Sequence, residues 1–297
     1  MISVAVTSYN ETSRHGGRWF QECIKDVSAP DIVSEVVVSD DGSEDWAWLL
    51  EIVKSNPKVK LFRSVKNLGV YRNKLRSVSL CENDWVQICD SDDTMDAEHF
   101  EALAGLPRDQ NTLYCNSFGK PVFDYRTFCG VHDIADYVEL AGHPQFPCIF
   151  NTGNHFLHKP TFLGVLDGPD PERSQVYIDP TKGGLYKRRV HDGADSSFYN
   201  SRWLLSGKKM HVVPGLEYEH RYHTENTSAY SRAPIEKEFL PPLYFYEMAR
   251  YVNPELPEAG KVTRRHHHSQ FWAAFRTDKG PIEVSLTTLE VQGCPAT

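Results

Sequence analysis

The first ninety residues alternate between two hydrophobic periods, and this alternation restricts the fold more than any other feature of the chain. Ile2 to Thr7, Val33 to Ser39, Val59 to Phe62 and Trp85 to Cys89 are short apolar runs of strand length. Between them the apolar residues recur at helical spacing: Trp19, Phe20, Cys23, Ile24 and Val27, then Trp46, Leu49, Leu50 and Val53, then a stretch from about Tyr71 to Cys81. Ser43 or Asp45 is the expected cap of the second helix. Strands alternating with helices of this length predict right-handed βαβ units and a parallel sheet. Ligands of such sheets collect at the carboxyl ends of the strands.

The pattern changes after residue 100. Thr112 to Ser117 and Val122 to Phe128 read as paired strands around Phe118-Gly119-Lys120. Residues 142–195 are rich in Gly and Pro and read as loops. A helix is expected from about Ala194 to Leu205, ended by Gly207. Two strands follow, Met210 to Val213 and Leu216 to Tyr222. The tail carries an expected helix near Glu236 to Tyr251 and a hairpin around Thr277-Asp278-Lys279-Gly280, flanked by Phe271–Phe275 and Ile282–Leu286.

Composition narrows the partners. The 297 residues are 40% hydrophobic and 24% charged, enough to build a sizeable core. A net charge of −8 speaks against non-specific nucleic-acid binding, which rests on neutralising phosphates, and against a polybasic membrane anchor. The seven cysteines are scattered without a CxxC pair and read as reduced thiols. No run approaches the roughly 20 apolar residues of a membrane span, and the chain opens directly on a strand rather than a leader. The expectation is a soluble, cytoplasmic protein, with peripheral membrane contact possible.

Polar residues gather where the strands end. The first strand ends in Thr7-Ser8-Tyr9-Asn10, the second in Ser39-Asp40-Asp41-Gly42-Ser43 and the fourth in Asp90-Ser91-Asp92-Asp93. Parallel neighbours would bring all three to one sheet edge. Three carboxylates within four residues repel one another and are tolerated around a divalent cation; oxygen-only ligands suit Mg²⁺ or Mn²⁺.

Four of these segments resemble family 2 glycosyltransferases of the GT-A fold: Val4-Ala5-Val6-Thr7-Ser8-Tyr9-Asn10, Val36-Val37-Val38-Ser39-Asp40-Asp41-Gly42-Ser43, Asn67-Leu68-Gly69 with Arg72-Asn73, and Asp90-Ser91-Asp92-Asp93, which is similar to the family's DxD motif. They cover residues 2–96, and the match beyond residue 100 is looser. The resemblance implies an α/β fold with a mixed, mostly parallel sheet flanked by helices and a small C-terminal extension. Residues 1–100 would form the nucleotide-sugar half, 101–232 the acceptor half and 233–297 the extension.

The implied activity is inverting, metal-dependent transfer of a sugar from a nucleotide-diphosphate donor, a UDP-sugar above all, to a hydroxyl of a glycan, lipid-linked sugar or glycoprotein. Thr7, Ser8 and Tyr9 would frame the base, with Asp41 or Asp40 accepting a hydrogen bond from it. Arg72 would reach the base or phosphates, Asp90 and Ser91 would face the ribose side, and Asp92 and Asp93 would hold Mn²⁺ or Mg²⁺. Asp195, in Asp192-Gly193-Ala194-Asp195, would be the base on the acceptor hydroxyl, with Asp192 a lesser alternative; either could instead cap its helix. His220 or His223 would add a metal or phosphate ligand, Asn226-Thr227-Ser228 hydroxyls for phosphate, and Gly153-Asn154-His155 an acceptor-side loop.

Rival readings attach to the same residues. Asp90-Ser91-Asp92-Asp93-Thr94 matches the DxDxT of haloacid-dehalogenase-like phosphatases, yet here ninety residues of βα units precede it. Asp90 to Glu101 is spaced like an EF-hand loop, but Met95 stands where a Gly must make the turn. A nucleotidyltransferase would want a Gly-rich basic loop after the first strand, and Asn10 to Gly17 is a poor one. A non-catalytic nucleotide-sugar or glycan-binding module on the same fold is the remaining alternative. His266-His267-His268, beside Arg264 and Arg265, reads as a solvated basic patch, because adjacent strand residues face opposite ways.

Overall fold

The computed structural model describes residues 1–13, 15–140, 143, 149, 152–166, 176–179, 184–187, 195–221, 244–245, 247–255, 261–267, 270–277, 280–285 and 291–293. Its strands are β1 (Ile2–Ser8), β2 (Val33–Asp40), β3 (Val59–Arg63), β4 (Trp85–Asp90), β5 (Thr112–Lys120), β6 (Phe123–Asp124), β7 (Gly130–His132), β8 (Phe156–His158), β9 (Val176–Asp179), β10 (Gly184–Lys187), β11 (Lys209–Glu219), β12 (Lys261–His267), β13 (Gln270–Thr277), β14 (Gly280–Ser285) and β15 (Val291–Gly293). Its helices are α1 (Arg18–Ser28), α2 (Trp46–Val53), α3 (Val70–Leu80), α4 (Ala97–Ala104), α5 (Ile134–Glu139), α6 (Lys159–Leu166) and α7 (Asp195–Leu205).

The chain divides into two compact units. The first comprises residues 1–131, 152–165 and 209–231. Its sheet runs in the order β3-β2-β1-β4-β8-β5-β11-β7, with β6 paired to β5. Strands β1 to β4 are mutually parallel where they pair, β11 is parallel to β5, and β8 runs antiparallel to β4 and β5. The sheet is therefore mixed and mostly parallel, as the alternation predicts. Strands β1 and β2 are nearly continuous apolar runs because both faces are covered. Val4, Val6, Val36 and Val38 pack with Phe20, Cys23, Ile24 and Val27 of α1 and Leu49 and Val53 of α2. Burying each such side chain contributes about 1.5–3 kcal/mol.

One buried acid sits near the start of β2. Glu35 accepts from Ser3 Oγ and the Glu82 N–H at 2.5 Å each and from Lys60 Nζ at 2.8 Å. Burial works to raise its carboxyl, but these three donors outweigh that and hold it below the usual range.

Four local expectations are corrected. Neither Ser43 nor Asp45 caps α2 through its side chain: the Asp45 side chain accepts from the Thr12 N–H and the Ser43 hydroxyl from the Asn10 N–H, so both secure the loop after β1. Strand β5 continues through Phe118-Gly119 to Lys120, and its hairpin partner β6 is only two residues, because Arg126–Phe128 turns into a 3₁₀ helix. The two strands expected around 210–222 are one strand, β11, with a register shift at Pro214-Gly215, where Gly215 takes a φ of 76°. Within the loop-rich stretch, Phe156–His158 is a buried central strand followed by α6.

The second unit comprises residues 132–151, 166–208 and 232–297. Helix α7 begins at Asp195 as expected and is followed by Gly207 at a φ of 76°, the left-handed conformation that ends helices. Within this unit Phe198 and Tyr244 meet edge-on at 5.3 Å between ring centroids, and Arg202 pairs with Glu247. The expected helix near 236–251 is described at 244–245 and 247–252, and its first half lies outside the described residues. The hairpin of β13 and β14 closes at Thr277↔Gly280, and β12 and β15 extend it into a four-stranded antiparallel sheet that periodicity alone did not reveal.

Candidate active site

The strand register brings the polar strand ends together. Thr7 lies beside Ser39 on one side and beside Asp90 on the other, and Ser8 lies beside Asp40. The carboxyl ends of β1, β2 and β4 thus share one edge, the place where an open α/β sheet receives a ligand.

The β2 turn is closed on itself. Asp40 is fully buried and accepts from the Gly42 N–H at 3.3 Å, from the Ser43 N–H at 3.2 Å and from the Ser43 hydroxyl, with Arg63 Nε 3.9 Å away. Gly42, at a φ of 80°, makes this turn possible. Asp41 reaches to the segment before α3: Oδ1 accepts from the Leu68 N–H at 2.6 Å and Oδ2 from the Gly69 N–H at 3.0 Å. The Asn67-Leu68-Gly69 segment is thereby tied to the DDGS turn.

The loop after β1 is tied to both turns. The Asn10 N–H donates to Ser43 Oγ at 2.9 Å, and Asn10 Oδ1 accepts from the Glu44 N–H at 2.9 Å. Glu11, a buried acid that sequence reading passed over, accepts from the Tyr9 N–H at 3.1 Å and from the Ser91 hydroxyl at 2.9 Å. Thr7 and Tyr9 remain half-buried at the edge, while Ser8 is buried.

The β4 turn is held by side chains from elsewhere. Lys74 of α3, itself buried, places Nζ 3.0 Å from Asp90 Oδ1. The Asp90 N–H donates to Asn154 Oδ1 at 3.0 Å, and Asn154 Nδ2 donates to Asp93 Oδ2 at 2.7 Å. The Asn154 carbonyl accepts from Asn116 Nδ2 at 2.8 Å. Asp93 Oδ1 accepts from the Arg221 N–H at 3.2 Å and lies 3.0 Å from His220 Nδ1. Arg221 pairs with Glu22 at 2.7 Å and lies over the Trp19 ring at 5.7 Å. Burial pushes the Asp93 carboxyl up, and His220 beside it pulls it back down. Burial also works to lower the His220 imidazole; Asp93, then Asp92 and Asp90, outweigh it, and the net shift is upward.

The structure brings Thr7, Ser8, Tyr9, Asp40, Asp41, Asp90, Ser91, Asp92, Asp93 and His220 into one unit at or beside this edge. Arg72 is exposed on the first turn of α3, one residue before Asn73, which is buried and bonded to Ser39. Gly153-Asn154-His155, expected on the acceptor side, braces the acidic turn through Asn154. Asp195 is the half-buried first residue of α7, in the second unit. His223, Asp192 and Asn226-Thr227-Ser228 lie outside the described residues.

Among the described residues no three His, Cys, Asp or Glu side chains close into a protein-only metal cage. A hard divalent cation does not need one. Mg²⁺-type sites take one or two carboxylates and fill the remaining positions with water and substrate phosphates. The half-buried Asp92, between Asp90 and Asp93, fits that arrangement.

Comparison with known proteins agrees with this geometry. Residues 3–125 match the family described as Glycosyl transferase family 2. No curated protein sequence matches the chain. The crystal structure of S. aureus TarS 1-349 is similar at 14% identity and a TM-score of 0.52, with 85% of this chain and 72% of that one covered. The same fragment in complex with UDP-GlcNAc is similar at 14% identity and a TM-score of 0.54, with 84% and 65% covered. Against the longer S. aureus TarS structure, at 15% identity and a TM-score of 0.52, the chain spans only 40% of the other's length. At these identities the likeness speaks for the fold, and the mixed, mostly parallel sheet flanked by helices is the GT-A arrangement. Residues 3–125 thus match glycosyl transferase family 2, and the fold is of the GT-A kind.

Proposed function

We propose that the protein is an inverting, metal-dependent glycosyltransferase that uses a nucleotide-diphosphate sugar, with a uridine nucleotide as the first choice. The observation that carries this reading is the register of β1, β2 and β4, which sets Thr7 between Ser39 and Asp90 and Ser8 beside Asp40, within the residues that match glycosyl transferase family 2. The choice of uridine is supported by the complexes of a structure of similar fold with UDP and with UDP-GlcNAc.

In this reading Thr7, Tyr9 and Asp41 receive the base, and Asp90 and Ser91 receive the ribose side. Arg72, exposed on the first turn of α3, meets the base or the phosphates. Asp92 would hold Mn²⁺ or Mg²⁺. Bound there, the cation supplies Lewis-acid stabilisation of the leaving diphosphate. Asp195 removes the proton of the acceptor hydroxyl as its oxygen attacks the anomeric carbon from the face opposite the diphosphate. The bond from that carbon to the phosphate oxygen breaks, and its electron pair leaves with the nucleotide. Such a base contributes roughly 10²–10⁴-fold.

A panel of nucleotide sugars with Mn²⁺, read out as released nucleotide with and without a glycan acceptor, tests the proposal. Donor-specific release that a chelator abolishes is expected. Absence of release from every donor, together with tight glycan binding, would favour the non-catalytic module. Asp195→Asn is expected to bind UDP like the wild type and to lose transfer. A collapse of UDP affinity in that variant would overturn its role as base, and retention at the anomeric carbon of the product would overturn inversion.

A further inference from the structure

Asp93 stands in the acidic turn beside Asp92 and reads, in sequence, as a second metal ligand. Its surroundings argue otherwise. Its side chain is 1% exposed, so no hydrated cation reaches it without rearrangement. Its two oxygens face three groups: Asn154 Nδ2 at 2.7 Å, the Arg221 N–H at 3.2 Å and His220 Nδ1 at 3.0 Å. A carboxylate offers about four lone-pair directions, so little acceptor capacity remains.

Asn154 is used with equal economy. Its Oδ1 accepts from the Asp90 N–H, its Nδ2 donates to Asp93, and its own backbone carbonyl is held by Asn116. One amide therefore spans the turn from its first residue to its last. Asp92 lies on the segment it spans and is half-buried, whereas Asp93 is not accessible.

We propose that Asn154 and Asp93 form a positioning pair that fixes the Asp90–Asp93 turn so that Asp92 alone presents a carboxylate to the donor-bound cation. This rests on the reading of the turn as the cation-and-diphosphate site. A preorganised ligand avoids ordering costs when the ligand binds. The pair is directional: the amide must donate and the carboxylate must accept. Asn154→Asp keeps the acceptor for the Asp90 N–H but sets a carboxylate against Asp93. Asp93→Asn sets an amide against the Asn154 amide. The double exchange restores complementarity, since the amide at 93 donates to the carboxylate at 154 and its oxygen still accepts from Arg221. Net charge is then unchanged.

The experiment is a double-mutant cycle on the full chain, with UDP as the probe. Calorimetric affinity is measured with Mn²⁺ and with chelator, and melting temperature is measured in parallel. Each single exchange is expected to cut the Mn²⁺-dependent gain in UDP affinity by about tenfold or more, the scale of one lost buried charged hydrogen bond. The double exchange is expected to recover that gain to within about threefold. A purely structural pair would move the melting temperature and leave the gain alone, which overturns the proposal. A double exchange as weak as Asp93→Asn overturns it too, because the cation then needs the Asp93 carboxylate itself. If wild-type protein binds no UDP with or without Mn²⁺, the functional reading fails and the proposal falls with it, an outcome distinct from UDP binding whose Mn²⁺ gain the exchanges leave alone.

Discussion

Two acidic turns close β2 and β4, the strands on either side of β1, and they are built in different ways. The turn after β2 satisfies its carboxylates with main-chain donors: Asp40 with the N–H groups of Gly42 and Ser43, Asp41 with those of Leu68 and Gly69. The turn after β4 is steadied by distant side chains, with Lys74 at Asp90 and with Asn154 and His220 at Asp93. Peptide N–H donors fix such a carboxylate in place, because they cannot leave without unmaking the chain path. A turn held by side chains at its two ends can keep the residue between them for a ligand. Similar acidic strings at strand ends therefore divide the labour: one shapes the rim, and the other holds Asp92 where the proposed cation would bind.

The comparison breaks most sharply at Asp92. Asp92→Asn is expected to lower Mn²⁺-dependent turnover by about 10³-fold, roughly 4 kcal/mol of barrier, with an unchanged melting curve. Steady-state release of nucleotide measures it, and near wild-type turnover would remove Asp92 from the site. Asp40→Ala should do the reverse. Stranding several buried donors costs about 3 to 4 kcal/mol of stability, read from urea unfolding, and any activity loss should follow the folded fraction.

Acid tests the scaffold next to the second turn. His99 of α4 is buried and makes a 2.8 Å bond from Nδ1 to the Glu217 carbonyl, and burial lowers its imidazole to about 4. The unfolded chain, with a His near 6.5, binds the proton more readily. Stability contributed by neutral His99 is therefore complete above about pH 6.5 and lost as pH falls toward 4, by about 3 kcal/mol at the limit. Denaturant midpoints across that range, compared with His99→Gln, isolate the contribution; identical slopes would refute it. The smallest effect belongs to Lys74→Met. Asp90 is about one-third exposed, so water takes over part of the lost pairing, and UDP affinity should weaken by about tenfold or less.

How much of this was legible follows from the range of the interactions. Val36-Val37-Val38 and Ile2 to Val6 announce buried strands because burial on both faces demands apolar side chains in succession. Their polar ends announce a rim because such residues cannot continue into the core. Lys74 and Glu11 were missed, and Asn154 was assigned to the acceptor side, because their partners lie 16, 80 and 61 to 64 residues away, where no periodicity points. One of them did leave a trace. Lys74 falls on the stripe of α3 shared by Tyr71, Ser77 and Val78, all buried, and a lysine there calls for a buried anion. The bracing role of Asn154 left none: the Gly-Asn-His turn shows it only once Asn154 is seen, just before β8, between Asp90 and Asp93.

The irregularity in β11 carries a consequence for how this chain can change length. From Val213 to Glu217 the strand advances four residues while its partner advances two, from Asn116 to Phe118. The surplus is thus even, and buried positions stand on both sides of it: Met210, Val212 and Val213 before, Leu216 and Tyr218 after. Losing Pro214 alone would reverse every side chain up to His220 and turn the imidazole away from Asp93. Losing Pro214 and Gly215 together would shorten the strand and preserve its facing. Insertions and deletions at this point of the gene should therefore survive selection in pairs of codons, a bias that sequences of homologous chains would record.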